Sequence, residues 1–180
     1  IENSMITNTV DNVGALAKVM YNSTIKNVHV TGATIKCANK VGAIAGYAEN
    51  SKIKESSSNS SIVATGNNAG GLIGQIARST VIENSYSSGQ VKGNENVGGL
   101  VGNVTSSTIK YSYSSSSVSG LNGVSGFVGQ STGNSTIANN IAVGNQMKQY
   151  KFDGRTEKEQ FINFSNNYEY EENRGNSTLS

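Results

Sequence analysis

Gly71-Leu72-Ile73-Gly74-Gln75-Ile76-Ala77-Arg78-Ser79-Thr80-Val81 returns 28 residues later as Gly99-Leu100-Val101-Gly102-Asn103-Val104-Thr105-Ser106-Ser107-Thr108-Ile109. Working outward in both directions, the triplets Ser23-Thr24-Ile25, Ser51-Lys52-Ile53, Ser79-Thr80-Val81, Ser107-Thr108-Ile109 and Ser135-Thr136-Ile137 keep that 28-residue step without a slip. A second element lies upstream of each: Val13-Gly14-Ala15-Leu16, Val41-Gly42-Ala43-Ile44, Ala69-Gly70-Gly71-Leu72, Val97-Gly98-Gly99-Leu100 and Val124-Ser125-Gly126-Phe127. Its last step is 27, and one additional residue in the turn at 131–134 restores the register. A fixed period of this length marks an array whose units bury their apolar faces on one another.

The composition excludes several classes of function. Of 180 residues, 21 are Gly, 26 Ser, 24 Asn and 13 Thr, and none is Pro. So many small polar residues, with only 35% apolar, would ordinarily describe a linker or a disordered tract. Such tracts are usually rich in proline, however, and 14% charged residues is too few to keep a chain expanded. No window approaches the roughly 18–20 consecutive apolar residues of a membrane-spanning helix, so no membrane insertion is expected. A net charge of +2 on scattered lysines gives no patch for nucleic acid. Cys37 is the one cysteine, so no internal disulfide forms.

Each unit reads as three short strands, at 70–74, 81–86 and 90–92 in the third, separated by Gly, Ser and Asn turns. The fold expected is all-β: a parallel β-helix, or β-solenoid, of about five 28-residue coils with an irregular C-terminal cap. One inward column would hold Ile25, Ile53, Val81, Ile109 and Ile137, and a second Leu16, Ile44, Leu72, Leu100 and Phe127. Corners need positive φ, which favours Gly and Asn, and stacked corners let Asn68 and Asn96 hydrogen-bond along the axis. Proline lacks the amide that a ladder paired on both edges requires.

Gly71-Leu72-Ile73-Gly74 and Gly99-Leu100-Val101-Gly102, each followed by a Ser-x-Ile-type strand, resemble the GLUG repeat, named for its Gly-Leu-any-Gly core. Gly126-Phe127-Val128-Gly129 keeps that core, Ala43-Ile44-Ala45-Gly46 departs at one glycine, and Ala15-Leu16-Ala17-Lys18 departs further. The resemblance covers residues 1–144. It implies a large secreted or surface-anchored bacterial protein, such as the immunoglobulin-A-cleaving zinc metalloproteases of Gram-positive cocci. The segments Tyr150-Lys151-Phe152-Asp153-Gly154-Arg155-Thr156 and Ser165-Asn166-Asn167-Tyr168-Glu169 are also similar to the stretch after the repeats in that family. On this reading the chain is extracellular, contacts neighbouring domains of its own chain, and could meet a host glycoprotein such as immunoglobulin. The catalytic zinc would lie elsewhere in the parent, with no cofactor here. An adhesin stalk is the alternative.

Candidate chemistry is sparse. A zincin needs two histidines four apart with a Glu beside the first. This chain has His29 alone, expected on the surface of a coil. Glu55 and Glu83 are 28 apart and could form a carboxylate pair of the kind used on polysaccharides, unless a bulge at Val81-Ile82 separates them. A solvated pair is the expectation, and this segment is not expected to be an enzyme. Tyr86, Tyr111 and Tyr113, beside a run of serines, form the candidate ligand surface.

The domain expected over 1–144 begins inside a coil, since Ile1-Glu2-Asn3-Ser4 matches Ile82-Glu83-Asn84-Ser85. A neighbouring segment is expected to cover that end. From 145 to 180 the composition changes, with six of the twelve aromatic residues. This stretch is read as a capping and connecting segment. Phe152, Phe161 and Phe164 are expected to fold onto the last coil or onto a flat face left by Gly42, Gly70 and Gly98, with a short helix at 156–161.

Overall fold

A computed structural model describes residues 1–143, 163–165, 167–170 and 177–179. Among these every strand pairing but one is parallel, and each coil hydrogen-bonds to the next. Coil three follows the path that the central coils share. Ala69–Gly70 lies in a three-stranded sheet, Ile73–Ala77 in a five-stranded sheet, Val81–Glu83 in a six-stranded sheet and Tyr86–Lys92 in a nine-stranded sheet. Four strands therefore replace the three expected. The chain bends at Gly71-Leu72 and again after Asn84, whose φ is 50°.

Left-handed corners recur in columns. Asn27, Glu55, Asn84, Tyr111 and Asn139 have φ between 48° and 62°, and all five precede the nine-stranded sheet. Asn12, Lys40, Asn68, Asn96 and Gly123 form another such column, in which Asn96 Nδ2 donates to Asn68 Oδ1 at 2.9 Å. The asparagine ladder anticipated from the composition is present.

The apolar columns are present with one correction. Ile25, Ile53, Ile82, Ile109 and Ile137 are in register, and Val81 instead pairs outward with Lys52 and Thr108. Ala77 is still opposite Glu49, but Val81 is opposite Lys52, one residue later than the period requires. The additional residue sits at the corner, where Arg78 and Ser79 both take positive φ (49° and 61°). Burial decides this register: it seats the larger Ile82 at 0% exposure. In the second column Ile44, Leu72, Leu100 and Phe127 are fully buried, whereas Leu16 is 46% exposed because it belongs to the outermost coil.

Three further expectations change. Gly42, Gly70 and Gly98 are buried and leave no flat outer face. A methyl group on Gly98 would strike the Val101 carbonyl, so this glycine lets two strands of one coil meet backbone to backbone. At the start of the chain, Glu2 bridges Thr31 and Ile6 pairs with Ile35, one sheet further on than the match to residues 82–85 implied. That register lets Ile6 pack against the core. Finally, the ladders run past residue 144. Asn163–Ser165 pairs with Thr136–Ala138, placing Phe164 opposite Ile137, and Tyr168–Tyr170 pairs with Ile141–Val143. Ser177–Leu179 then closes that edge as the one antiparallel strand among those described. Phe152, Phe161 and the 156–161 helix lie outside the described residues.

Much of the serine is internal. Among the described residues fourteen serines are buried. Immediately after each left-handed corner of the column from Asn27 to Asn139, a backbone N–H donates to a side-chain oxygen of the next coil. Val28 donates to Ser56 (3.2 Å), Ser56 to Ser85 (3.1 Å) and Ser85 to Ser112 (3.2 Å). Ser112 then donates to Asn140 (2.9 Å) and Asn140 to Asn167 (3.0 Å). Each of the three serine hydroxyls in turn donates to the carbonyl two residues before it. The chain thus satisfies its corner amides without water.

Candidate functional site

The nine-stranded sheet places Tyr86 opposite Tyr113, because each follows a left-handed corner residue by two positions. Their rings stack at 4.7 Å between centroids and 3° between planes. With the facing sides turned toward each other, the pair offers mainly ring edges and hydroxyls to a ligand. Partial burial, and then the neighbouring Tyr86, raise the pKa of Tyr113, so its phenol stays protonated. Ile141 continues the column at 46% exposure, and Tyr168 follows in backbone register. Tyr111 is not in the stack. It is itself a corner residue, 57% exposed, with Lys110 Nζ 5.7 Å from its ring centroid. The structure therefore joins two members of the predicted surface and sets the third at its border.

Glu55 and Glu83 do not form a pair. Because of the additional residue at the Arg78-Ser79 corner, Glu83 aligns with Lys54 and Lys110 rather than with Glu55. It forms ion pairs with Lys54 and with Lys110 (3.2 Å), while Glu55 pairs with Lys26 at 3.3 Å. Hydrogen bonds from Lys54 and then Lys110 hold Glu83 below the ordinary carboxylate range. A carboxyl so placed stays ionised, the opposite of what a general acid requires. His29 begins the strand His29–Cys37, is exposed, and its Nδ1 lies 2.7 Å from Ser57 Oγ. Burial, and then Asp11, push the Cys37 thiol up to about 11, which keeps it in the unreactive protonated form. No cluster of three or more His, Cys, Asp or Glu able to hold a metal occurs among the described residues.

One surface cluster escaped the sequence reading. On the five-stranded sheet Tyr21 meets Tyr47 edge-on at 6.2 Å, and Lys40 Nζ lies 5.3 Å from the Tyr47 centroid. Tyr47 donates to Glu49 (2.7 Å), which also accepts from Arg78 (2.7 Å). Burial, and then the bond to Glu49, raise the Tyr47 pKa to about 12. The signal was present in the 28-residue step from Tyr21 to Glu49 and the two-residue alternation of Tyr47 with Glu49.

With the coil geometry established, the comparison with known families is specific. Residues 65–92 and 93–119 each match the GLUG motif family. These two coils are GLUG repeats. No curated protein and no solved structure matches the chain. The GLUG core can be explained residue by residue in coil three. A side chain on Gly71 would strike the Gly99 carbonyl and Ser87, Leu72 is fully buried, and Gly74 is pressed against the backbone of Lys40 and Val41. The coils flanking the matched pair share this architecture and its hydrogen-bond ladders.

Proposed function

We propose that this chain is a non-catalytic GLUG β-helix module of a secreted or surface-anchored bacterial zinc metalloprotease similar to the immunoglobulin A proteases. It holds other domains at a fixed distance and lends a flank to substrate binding. The observation that carries this reading is the unbroken parallel pairing from Met5–Thr7 to Tyr168–Tyr170. At about 4.8 Å per rung, that ladder makes a stiff spacer on the order of 30 Å. The likeness of residues 150–156 and 165–169 to the segment after the repeats in those proteases supports the parent assignment.

The test is made in the full-length parent, where an HExxH segment is expected in the same open reading frame. Replacing the rod by an unrelated solenoid of equal length should keep cleavage of immunoglobulin A but raise KM, through loss of the substrate-binding flank, and removing one whole coil should lower cleavage itself. Unchanged cleavage after removal would rule out the spacer role. The stacked, exposed Tyr86 and Tyr113 favour a second reading, a stalk or ligand-binding module of a surface adhesin. A cell-wall sorting signal without HExxH would select that reading.

A further inference from the structure

The outer face of the nine-stranded sheet differs from the rest of the rod in its charge. Its outward residues in coils three and four are Tyr, Ser and Gln apart from Gly89, with Lys92 the one charged side chain. The nearest charges of the six-stranded sheet, Lys54, Glu83 and Lys110, are tied to one another. A partner that met this face through acidic or basic groups would find almost nothing to pair with. Further along the same sheet, four residues on from Tyr86 and Tyr113, lies a shallow hollow of about 280 Å³, whose polar lining includes Ser61, Gln90, Lys92 and Ser117. Its volume is below that of pockets for drug-sized molecules, and its lining sets hydroxyl and amide groups among apolar carbon such as that of Val63.

A second observation concerns Tyr111. Three of the other four residues in its corner column are asparagines, which tolerate the left-handed region. A tyrosine at φ 51° is a true outlier, and residues held in such conformations cluster at ligand contacts. This one turns a large ring to solvent two residues before Tyr113, where the fold would be better served by Asn.

We propose that this face binds an uncharged glycan chain. Tyr111 packs its ring against the apolar face of a sugar ring, and the hydroxyls at the exposed edge of the Tyr86–Tyr113 stack hydrogen-bond to the chain. Ser61, Gln90 and Ser117 hydrogen-bond to sugar hydroxyls in the hollow. This goes beyond the spacer role, and either can hold without the other. Uncharged sugars fit better than a peptide because the face carries a single charge, Lys92, and lacks the deep apolar pocket that anchors protein partners.

The test is a titration of the 180-residue chain, followed by amide NMR shifts, with cellohexaose, mannohexaose and N-acetylglucosamine tetramer at millimolar concentration. A neutral Ala/Ser/Thr peptide and sialyllactose serve as comparisons. At least one neutral sugar should shift the amides around Tyr86, Tyr111, Tyr113 and Gln90. Tyr111→Asn should weaken that binding about five- to tenfold, the loss of one aromatic contact, while raising the thermal midpoint. A purely structural tyrosine would not separate those two readouts. Absence of shifts with all three neutral sugars overturns the proposal, as does equal affinity in Tyr111→Asn. A response to the peptide or to sialyllactose alone overturns it in favour of a protein or an anionic ligand.

Discussion

Ser131 and Glu83 show how little of a side chain's role follows from its type. Ser131 stands in a column with Met20, Ala48, Ile76 and Val104. It is fully buried, and its hydroxyl has no hydrogen-bond partner. An orphaned buried hydroxyl costs about 1–3 kcal/mol, more than the small loss of packing on trimming serine to alanine. Ser131→Ala should therefore stabilise the rod by about 1 kcal/mol, read as a rise of about 2–4 °C in the thermal midpoint. Glu83 gives the pH dependence. Unpaired in the unfolded chain, a glutamate titrates at about 4.3. Its folded pKa is lower, so its lysine pairs contribute fully above that unfolded value and are lost as pH falls through the folded one. Glu83→Gln should lower the thermal midpoint at neutral pH and flatten its decline on the acid side. An acid limb unchanged by the substitution would show that the lysine pairs add nothing.

At the scale of the strand, the decisive event is the one-residue slip at Arg78-Ser79. It exchanges Val81 for Ile82 in the core column and so turns the neighbouring Glu83 toward Lys54. The two registers make opposite forecasts. Ile82→Ala should cost about 2–5 kcal/mol, as a large-to-small change at a fully buried site. Val81→Ala, on the outer face, should cost about 0.5 kcal/mol or less. Chemical denaturation of the two variants measures this directly, and a larger loss for Val81→Ala would restore the strict 28-residue register. A strand moved by a single position changes which side chains face water, so a local slip redefines a whole candidate site.

For the whole molecule, stability runs along the rod, because each coil satisfies its neighbour. The corner amides of one coil are capped by side chains of the next, which makes the ladder directional. Its last described step is Asn167, whose Oδ1 accepts from both the backbone N–H and Nδ2 of Asn140. Removing residues 145–180 would strip those partners together with the strands Asn163–Ser165 and Tyr168–Tyr170. A thermal midpoint lower by about 5–10 °C is expected, from several orphaned groups and a newly open edge. A chain ending at residue 144 that melted like the parent would show that this segment lends no support to the coils.

The period, the Gly-Leu-any-Gly core and the missing prolines were enough to establish a parallel solenoid with inward aliphatic columns. Those features arise from backbone rules that act within one coil and repeat in the next. Tertiary packing decided the rest. Which of Val81 and Ile82 turns inward depends on how a corner absorbs one additional residue, a matter of burial across three coils. The sequence places Tyr86 and Tyr113 only 27 residues apart, and adjacent rungs stack them face to face. Asn167 echoes Asn140 27 residues earlier, but only the ladder makes it a cap on that residue's amide. Local rules set the repeat, while contacts between coils set the register and the surface that register exposes.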